Sequence, residues 1–327
     1  MNNRQVQYSI VVPLYNEEQV IHETYKRLKK VMDSTEEPYE IIFVNDGSRD
    51  KTLEMAKEIC SRDSFIKLIS FSRNFGHQLA ITAGMDHSTG KAVIVIDADL
   101  QDPPEVMLDM IAKWKEGYEV VYGKRTKRKG ESFFKKVTAK VFYRTLKKMT
   151  DVNIPVDTGD FRLIDRKVCD ALKSIPEHNR YVRGLVSWLG FRQTGVEFVR
   201  EERFAGETKY PLKKMIKFAS DGITSFSHKP LKAATYIGSA VSSLSLLYLL
   251  VALFETLFTS IHIPGWLITI SLSLFFNGLI LIALGIIGGY IARIYDEVKG
   301  RPLYIISDKE GFQPEVHQLE KQIKMEA

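Results

Sequence analysis

The first part of the chain repeats one pattern, in which a short apolar run is followed by a segment whose apolar residues recur at helical spacing. Runs that are apolar throughout predict strands buried on both faces, and strands that alternate with helices predict a parallel sheet. Residues 1–210 are therefore predicted to form an α/β domain with a doubly wound, mainly parallel sheet. The predicted strands are Tyr8–Leu14, Glu40–Val44, Ile66–Phe71, Ala92–Ile96 and Val120–Tyr122.

A polar cluster follows each of the first four predicted strands. Ligands of open α/β sheets bind beyond the carboxyl ends of the strands, so we expect these clusters to share one rim. No Gly-x-Gly-x-x-Gly and no Walker-type lysine loop follows the first strand, which argues against a dinucleotide dehydrogenase and a P-loop enzyme. The clusters are Tyr15–Glu17, Asn45–Ser48, Arg73–Gly76 and Asp97–Asp102.

Composition excludes several other classes of protein. Of the 327 residues, 45% are hydrophobic and 26% are charged, so the chain is not intrinsically disordered. Its two cysteines, Cys60 and Cys169, have no partners at metal-ligand spacing, which excludes a disulfide-stapled fold and a cysteine-based zinc site. His77 also lacks such partners and is expected to be a surface or loop residue. The net charge of +6 suits a membrane surface, nucleic acid or anionic substrates equally.

The carboxylates after the fourth predicted strand indicate a metal site. Asp97 and Asp99 flank one residue, so in an extended turn their side chains point the same way. Hard oxygen ligands beside a diphosphate predict Mg²⁺ or Mn²⁺, which would neutralise a nucleotide diphosphate leaving group. Turn-forming or helix-capping aspartates are the alternative, and they are the better interpretation of a lone Asp-x-Asp. Here the buried strand and the three companion clusters favour the metal.

Two long uncharged segments, Ala233–Phe254 and Ile263–Ala292, follow the α/β domain. A helix of about 20 residues crosses a bilayer core, so both segments predict transmembrane helices; a buried hairpin in a soluble core is the alternative. Basic residues flank the outer ends of the pair, and the connection between the segments has none. The positive-inside rule then predicts a multi-pass plasma-membrane protein whose catalytic domain and both termini are cytoplasmic.

Amphipathic segments near these spans predict helices at the membrane surface. Between Lys124 and Lys148 the only acidic residue is Glu131, and apolar residues recur at near-helical spacing from Phe133 to Met149. An ordinary solvated charged face is the alternative, whereas nucleic acid is not expected as a partner because no stacking platform accompanies the basic run. The predicted order is a juxtamembrane helix in 211–230, a two-helix transmembrane hairpin in 231–293 and a cytoplasmic C-terminal tail in 294–327.

Five motifs together resemble the family 2 glycosyltransferases, which have a GT-A fold. The last two are similar to those of a narrower branch, the polyprenyl-phosphate glycosyltransferases, which includes dolichol-phosphate mannose synthases and bactoprenol glucosyl transferases. Asn45 departs from the pattern, since many relatives carry aspartate there, and Thr208 stands where serine is common. The motifs are Val12–Glu17, Val44–Ser48, Asp97–Asp102, Asp157–Leu163 and Arg203–Tyr210.

The resemblance implies how the donor nucleotide and the metal ion would be bound. Asp46 would accept a hydrogen bond from N3–H of a uracil base, and Asp97 would contact the nucleotide or the sugar. Asp99 and Gln101 would hold Mg²⁺ or Mn²⁺. The residues implied in donor binding are Pro13, Tyr15, Glu17, Asp46 and Asp97.

Catalysis and phosphate binding are assigned by the same resemblance. Asp160 would be either a general base or a group that orients the reactants, and its motif does not distinguish the two. Asp97 and Arg203 complete the implied catalytic set. The residues expected to grip the phosphates of donor or acceptor are Arg125, Arg203 and Lys209.

The implied reaction is an inverting transfer of a hexose from UDP-glucose or UDP-N-acetylglucosamine to polyprenyl phosphate. Undecaprenyl phosphate would be the acceptor in a bacterium, and the product would be a lipid-phospho-sugar for cell-envelope glycosylation. Because the acceptor phosphate is already anionic, positioning and charge neutralisation would carry most of the catalysis. The lipid bilayer is a further expected partner, and the glycines of the second uncharged segment favour a homo-oligomer.

Two other functions agree with parts of the sequence. A processive polysaccharide synthase would need more membrane helices and a Gln-x-x-Arg-Trp motif, which the sequence lacks. A non-catalytic nucleotide-sugar-binding regulator, or a component of a membrane complex, would not require the full set of motif side chains. The transferase is therefore the preferred hypothesis, and turnover by the purified protein separates it from the regulator.

Overall fold

The computed structural model describes residues 5–127, 155, 158–178, 180–200 and 265–312. The chain divides into two compact units. The first unit comprises residues 1–143, 152–211 and 301–327, and the second comprises residues 144–151 and 212–300.

The described part of the first unit is an α/β domain built on one eight-stranded sheet. The strands are β1 Tyr8–Leu14, β2 Tyr39–Asn45, β3 Ile66–Phe71, β4 Ala92–Val95, β5 Val120–Lys127, β6 Thr158–Asp165, β7 Gln193–Val199 and β8 Ile306–Glu310. The helices are α1 Ile21–Asp33, α2 Thr52–Arg62, α3 His77–Asp86, α4 Val106–Lys115, α5 Arg166–Lys173 and α6 Val182–Trp188.

The strand order is β7-β5-β6-β4-β1-β2-β3-β8. The four central strands β4, β1, β2 and β3 are mutually parallel, as the sequence predicts. β6 runs antiparallel to both β4 and β5, β7 is parallel to β5, and β8 is antiparallel to β3. Most strands therefore point the same way, and their carboxyl ends lie along one edge. The antiparallel β6 brings a later segment of the chain beside the end of β4.

Both faces of the central sheet are covered by helices. Ile10, Val12 and Leu14 of β1 belong to a buried cluster that includes residues of α1, α2 and α4. Val11 faces the other way, towards α3, where a Cβ added to Gly84 would lie 2.1 Å from Val11 Cγ1. Helix and strand are therefore in close contact at this point, and the predicted doubly wound arrangement is confirmed.

The last strand was not predictable from local apolarity, because Ile306 is the only apolar residue of β8. β8 pairs with β3 at the edge of the sheet, with Leu68 opposite Glu310. Lys57 of α2 forms ion pairs with Asp308 at 2.6 Å and with Glu310 at 2.9 Å. Part of the region predicted as a tail, 294–327, is therefore a strand of the α/β domain.

The second unit contains one described helix, α7, which extends over Gly265–Val298 and includes most of the second predicted span. In the part of the chain that the structure describes, no helix combines the length and apolarity required to cross a membrane. The two predicted transmembrane helices are thus not confirmed. The first predicted span, the predicted helix within 211–230 and most of the basic segment that starts at Lys124 lie outside the described residues.

Candidate active site

The loops that follow β1 and β2 are joined to each other by hydrogen bonds. Asn16 N donates to Ser48 Oγ at 3.0 Å, and Arg49 N donates to Asn16 Oδ1 at 2.8 Å. Glu17 N donates to Thr52 Oγ1 at 2.8 Å. Two of the polar clusters predicted from the sequence therefore meet at the carboxyl edge of the sheet.

Asp46 ties the loop after β3 to the same edge. Its buried carboxylate accepts hydrogen bonds from Phe75 N at 2.7 Å, Asn74 Nδ2 at 2.8 Å and Gly76 N at 3.0 Å. Gly47 allows the close approach, since it has a φ of 63° and an added Cβ would lie 2.5 Å from the carbonyl carbon of Arg73. Burial raises the pKa of Asp46, while the hydrogen bonds from Phe75 and Gly76 oppose that rise.

Asp160 of β6 is held by three side chains from other elements. Arg183 Nε of α6 lies 2.9 Å from Asp160 Oδ1, as an ion pair. Gln78 Nε2 donates to Asp160 Oδ2 at 3.0 Å, and His77 Nε2 lies 3.3 Å from the same oxygen. Burial alone would raise the pKa of Asp160, but the charge of Arg183 and the hydrogen bond from His77 hold it well below its usual range. The carboxylate is therefore ionised and a weak base.

His77 connects Asp160 to Asp97, because its Nε2 also lies 3.4 Å from Asp97 Oδ1. Burial would lower the pKa of His77, but the charge of Asp97 and the hydrogen bond to Asp160 outweigh it and raise the pKa to about 9. The imidazole is thus charged at neutral pH. The pKa of Asp97 is raised to about 6 by burial and by the neighbouring charges of Asp160 and Asp99, against the opposing charge of His77.

A second network joins the loop after β4 to the ends of β5 and β7. Arg125 Nη2 donates to both oxygens of the buried Asp102, at 3.1 and 2.9 Å. Arg200 Nη2 donates to Gln101 Oε1 at 2.7 Å, and Arg200 Nε lies 3.9 Å from Asp102 Oδ1. Burial would lower the pKa of Arg125, but the charge and hydrogen bonds of Asp102 raise it.

Several buried polar atoms at this edge make no hydrogen bond within the described residues. They include Asp97 Oδ1, Arg162 Nε and Arg200 Nε. Buried polar groups in folded proteins are generally hydrogen-bonded, so a group of exceptions calls for an explanation. These atoms include a carboxylate acceptor and guanidinium donors. A polar, charged ligand such as a nucleotide diphosphate could provide hydrogen-bond partners for them.

Comparison with known proteins identifies the family. A model of glycosyl transferase family 2 matches residues 9–173. The chain belongs to glycosyl transferase family 2. The resemblance seen in its motifs is thus confirmed, and the parallel sheet with polar loops at its carboxyl edge is the α/β fold of a GT-A-like transferase.

This family 2 transferase has relatives that match it over most of both chains. It is 63% identical over 311 residues to YkcC of Bacillus subtilis, an uncharacterised glycosyltransferase, covering 95% of this chain and 96% of that protein. It is 42% identical to the bactoprenol glucosyl transferase of Shigella phage SfII, covering 91% and 96%. Among solved structures it is similar to mannosyl-3-phosphoglycerate synthase of Rubrobacter xylanophilus, with a TM-score of 0.46 and 16% identity over 66% of this chain and 71% of that one.

The structure brings many of the residues singled out in the transferase sequence to one edge of the sheet. Tyr15 and Glu17 lie in the loop after β1, and Pro13 pairs with Val44 within the sheet. Asp46 accepts hydrogen bonds from the loop after β3 through both carboxylate oxygens. Arg203 and Lys209 lie outside the described residues. The residues placed at or beside the two networks are Asp97, Asp99, Gln101, Arg125 and Asp160.

The predicted metal ligands of the transferase, Asp99 and Gln101, share one short turn. Gln101 N donates to Asp99 Oδ1 at 3.1 Å, and Leu100 between them has a φ of 57°. Within the described residues no group of three or more His, Cys, Asp or Glu side chains is placed to hold a metal ion. Mg²⁺ is commonly held by one or two protein oxygens together with substrate phosphates. The side-chain oxygens of Asp99 and Gln101 are of the type that such an ion prefers, and Gln101 Oε1 already accepts a hydrogen bond from Arg200 Nη2 at 2.7 Å.

Sequence reasoning missed several residues of the site, among them His77, which it expected to be a surface or loop residue without a role. His77 and Gln78 are the first residues of α3, directly after the polar cluster Arg73–Gly76. Their position beyond the carboxyl end of β3 was a signal that could have found them. Asp102 belonged to a predicted cluster without an assigned role. Arg162 belonged to the motif Asp157–Leu163 without an assigned role, and Arg183 and Arg200 lie in segments whose neighbours only the folded chain reveals.

Proposed function

We propose that this transferase moves a hexose from UDP-glucose or UDP-N-acetylglucosamine to polyprenyl phosphate, with inversion at the anomeric carbon. The observation that carries the proposal is the identity of about 40% or more to several bactoprenol glucosyl transferases over more than nine-tenths of both chains. Undecaprenyl phosphate is the proposed acceptor, and the product is a lipid-phospho-sugar for cell-envelope glycosylation.

The proposed reaction requires little proton transfer. A phosphate oxygen of the acceptor is already anionic, so it attacks the anomeric carbon of the sugar as the bond to the nucleoside diphosphate breaks. Asp160 then serves as an orienting group rather than a general base, because its contacts with Arg183, Gln78 and His77 stabilise the carboxylate and make it a weak base. Positioning of this kind and stabilisation of the leaving group supply the catalysis.

The proposal also names the groups that balance the negative charge of the phosphates. Arg125 and Arg200, fixed by Asp102 and Gln101, contribute positive charge near the diphosphate, and Arg203 and Lys209 are proposed to grip phosphates of donor or acceptor. A divalent cation on Asp99 and Gln101, Mg²⁺ or Mn²⁺, would neutralise the leaving nucleoside diphosphate when bound. Asp97 would face the nucleotide or sugar of the donor.

Attachment to the plasma membrane, with the catalytic domain and both termini in the cytoplasm, is part of the proposal. It is supported by the hydrophobic acceptor and by the two uncharged segments of the sequence. Fractionation of cells followed by carbonate washing tests it, since a membrane-spanning protein stays in the pellet. Recovery in the carbonate supernatant would contradict the spanning arrangement.

Label transfer tests the reaction itself. Purified full-length protein is incubated with Mn²⁺ or Mg²⁺, short-chain polyprenyl phosphate and radiolabelled nucleotide sugars, and label in the organic-extractable product is measured. We expect transfer from one donor, its loss in Asp99→Ala, and its retention in Asp109→Ala, which removes an exposed aspartate of α4. Nucleotide binding without transfer from any donor would contradict the proposal and favour the non-catalytic regulator.

A further inference from the structure

We propose that His77 is a positioning residue of the transfer reaction, whose imidazole spans Asp160 and Asp97 and fixes Asp97 for contact with the donor. The inference rests on the proposed function. Neither the family assignment nor the motifs attach a role to His77.

The first support is the position of one nitrogen atom between two carboxylates. His77 Nε2 lies 3.3 Å from Asp160 Oδ2 and 3.4 Å from Asp97 Oδ1. Asp160 belongs to β6, and Asp97 follows β4, the neighbouring strand. His77 therefore bridges two segments that are remote in sequence.

The second support is a difference in how firmly the two carboxylates are held. The side chain of Asp160 is 9% exposed and contacts Gln78 and Arg183 as well as His77. The side chain of Asp97 is 30% exposed, and its Oδ1 accepts no hydrogen bond. The side chain of His77 is 35% exposed. Because it contacts the firmly held Asp160, it can restrict the position of the more exposed Asp97.

The third support is that the backbone of His77 is itself held in place. Gly76, the preceding residue, donates its N–H to both oxygens of Asp46, at 3.2 and 3.0 Å. Gln78, the following residue, accepts a hydrogen bond from Val182 N at 3.0 Å through its Oε1. Both neighbours of His77 in the chain are therefore held by hydrogen bonds, which restricts the position of the His77 backbone and of the imidazole ring attached to it.

The fourth support is charge. Asp99, Asp102 and Asp160 all act on Asp97 as like charges, and the positive charge of His77 opposes them. Arg183 and Asp46 are the other charged groups that act electrostatically with His77. A cation at position 77 therefore offsets part of the repulsion among these four carboxylates.

Two substitutions separate charge from shape. His77→Gln removes the positive charge and keeps a hydrogen-bond donor. His77→Lys keeps a positive charge but places it on a flexible aliphatic side chain instead of an imidazole ring. His22→Gln is the matched control, since His22 is exposed on α1. Full-length variants are assayed with radiolabelled UDP-glucose and UDP-N-acetylglucosamine and undecaprenyl phosphate, and the melting temperature of each is measured.

We expect His77→Gln to lower kcat by about 10- to 100-fold, because a misplacement of about 1 Å in an active site can cost about 100-fold in rate. His77→Lys should recover most of that loss, while His22→Gln matches the wild type. The KM for the donor should rise by a smaller factor than kcat falls, because the predicted contact of Asp46 with the base does not involve His77. Binding of UDP in the presence of Mn²⁺, measured by calorimetry, should be retained in both His77 variants.

Other outcomes overturn the inference without ambiguity. Wild-type kcat in His77→Gln would show that Asp97 needs no partner at position 77. An equal loss of kcat in His77→Lys and His77→Gln, with unchanged melting temperature, would show that the positive charge is not what matters. Absence of transfer in the wild-type protein would instead contradict the proposed function.

Discussion

Two acidic sites, one buried and one partly exposed, lie at opposite ends of the parallel strands. At the amino end, Glu40 of β2 is 2% exposed. It accepts hydrogen bonds from Ser9 Oγ at 2.5 Å and Thr89 N at 2.7 Å, and it pairs with Lys67 of β3. At the carboxyl end, Asp97 keeps an oxygen that accepts no hydrogen bond.

The two carboxyl groups differ in the direction of their pKa shifts. Burial would raise the pKa of Glu40, but the hydrogen bonds from Lys67, Ser9 and Thr89 lower it below its ordinary value. Burial and like charges raise the pKa of Asp97 to about 6, against the opposing charge of His77. Side chains and backbone groups of the chain itself thus satisfy the carboxylate of Glu40. Around Asp97, by contrast, the repulsion between carboxylates is only partly balanced, and a bound ligand can reduce it. The first arrangement stabilises the fold, and the second serves binding.

The largest expected effect tests the open site. Asp97→Asn should lower kcat of glycosyl transfer by about 100- to 1,000-fold, the range found when one group that stabilises a transition state is removed. The free energy of unfolding should not fall, because a like charge is lost from the cluster. Transfer assays and chemical denaturation measure the two quantities. If Asp97→Asn kept its transfer activity, or lost much of its stability, Asp97 would not be a residue that serves binding rather than folding.

The reverse pattern is expected at the closed site. Glu40→Gln should lower the free energy of unfolding by about 2 to 3 kcal/mol, since hydrogen bonds to a buried charge are weakened and Lys67 loses its partner. The kcat of the folded variant should stay within about twofold of wild type, because Glu40 lies at the other end of the strands. Denaturant unfolding and label transfer provide the readouts, and a matching fall in kcat would break the comparison.

The two sites should also respond to pH in opposite directions, by at most about 1.4 kcal/mol per pH unit for each group. The folded-state pKa of Glu40 is lowered, so its contribution is present above the ordinary glutamate pKa and is lost as pH falls through the folded value. The folded-state pKa of Asp97 is raised, so its ionisation opposes folding as pH rises from the ordinary aspartate value through about 6.

Denaturation in metal-free buffer between about pH 2 and pH 8 measures this difference. The stability deficit of Glu40→Gln should grow as pH rises through the folded-state pKa of Glu40 and should level off above the ordinary glutamate value. The stability advantage of Asp97→Asn should grow from the ordinary aspartate value up to about pH 7. Two pH-independent differences would show that neither carboxyl group has the shift that its surroundings imply.

The smallest expected effect concerns one donor of the closed site. Ser9→Ala removes the hydroxyl that donates to Glu40 and that accepts from Gly90 N at 2.8 Å. The loss should be about 1 kcal/mol, typical of a neutral hydrogen-bonding group. Thermal unfolding of Ser9→Ala beside wild type measures it. A loss as large as that of Glu40→Gln would mean that the hydroxyl, rather than Lys67, holds the carboxylate.

The central sheet was predictable because buried parallel strands carry their signal locally. Tyr8–Leu14 and Ile66–Phe71 have the bounds that the apolar runs predict. The fifth run, Val120–Tyr122, is longer in the structure and extends to Lys127. Its polar end pairs with β6 and β7, and such pairing leaves no apolar pattern in the sequence.

The positions of Asp97 and Asp99 at the carboxyl edge were likewise predictable, since both lie in the short turn that follows the recognisable strand β4. The contacts of Asp160 were not. Gln78, which donates to it, is 82 residues away in the chain. The antiparallel course of β6, which brings Asp160 beside the end of β4, depends on which strand edge is open for pairing.

The sequence by itself determined the central parallel strands, the family and the chemistry of the motif side chains, because these depend on residue type and short-range spacing. Only the tertiary structure decided that Asp160 is enclosed by Gln78, His77 and Arg183, and that β8 closes one edge of the sheet. Hydrogen bonds and ion pairs act over a few ångströms in space. Partners are therefore chosen by how the elements pack, and the order of residues along the chain does not record that choice.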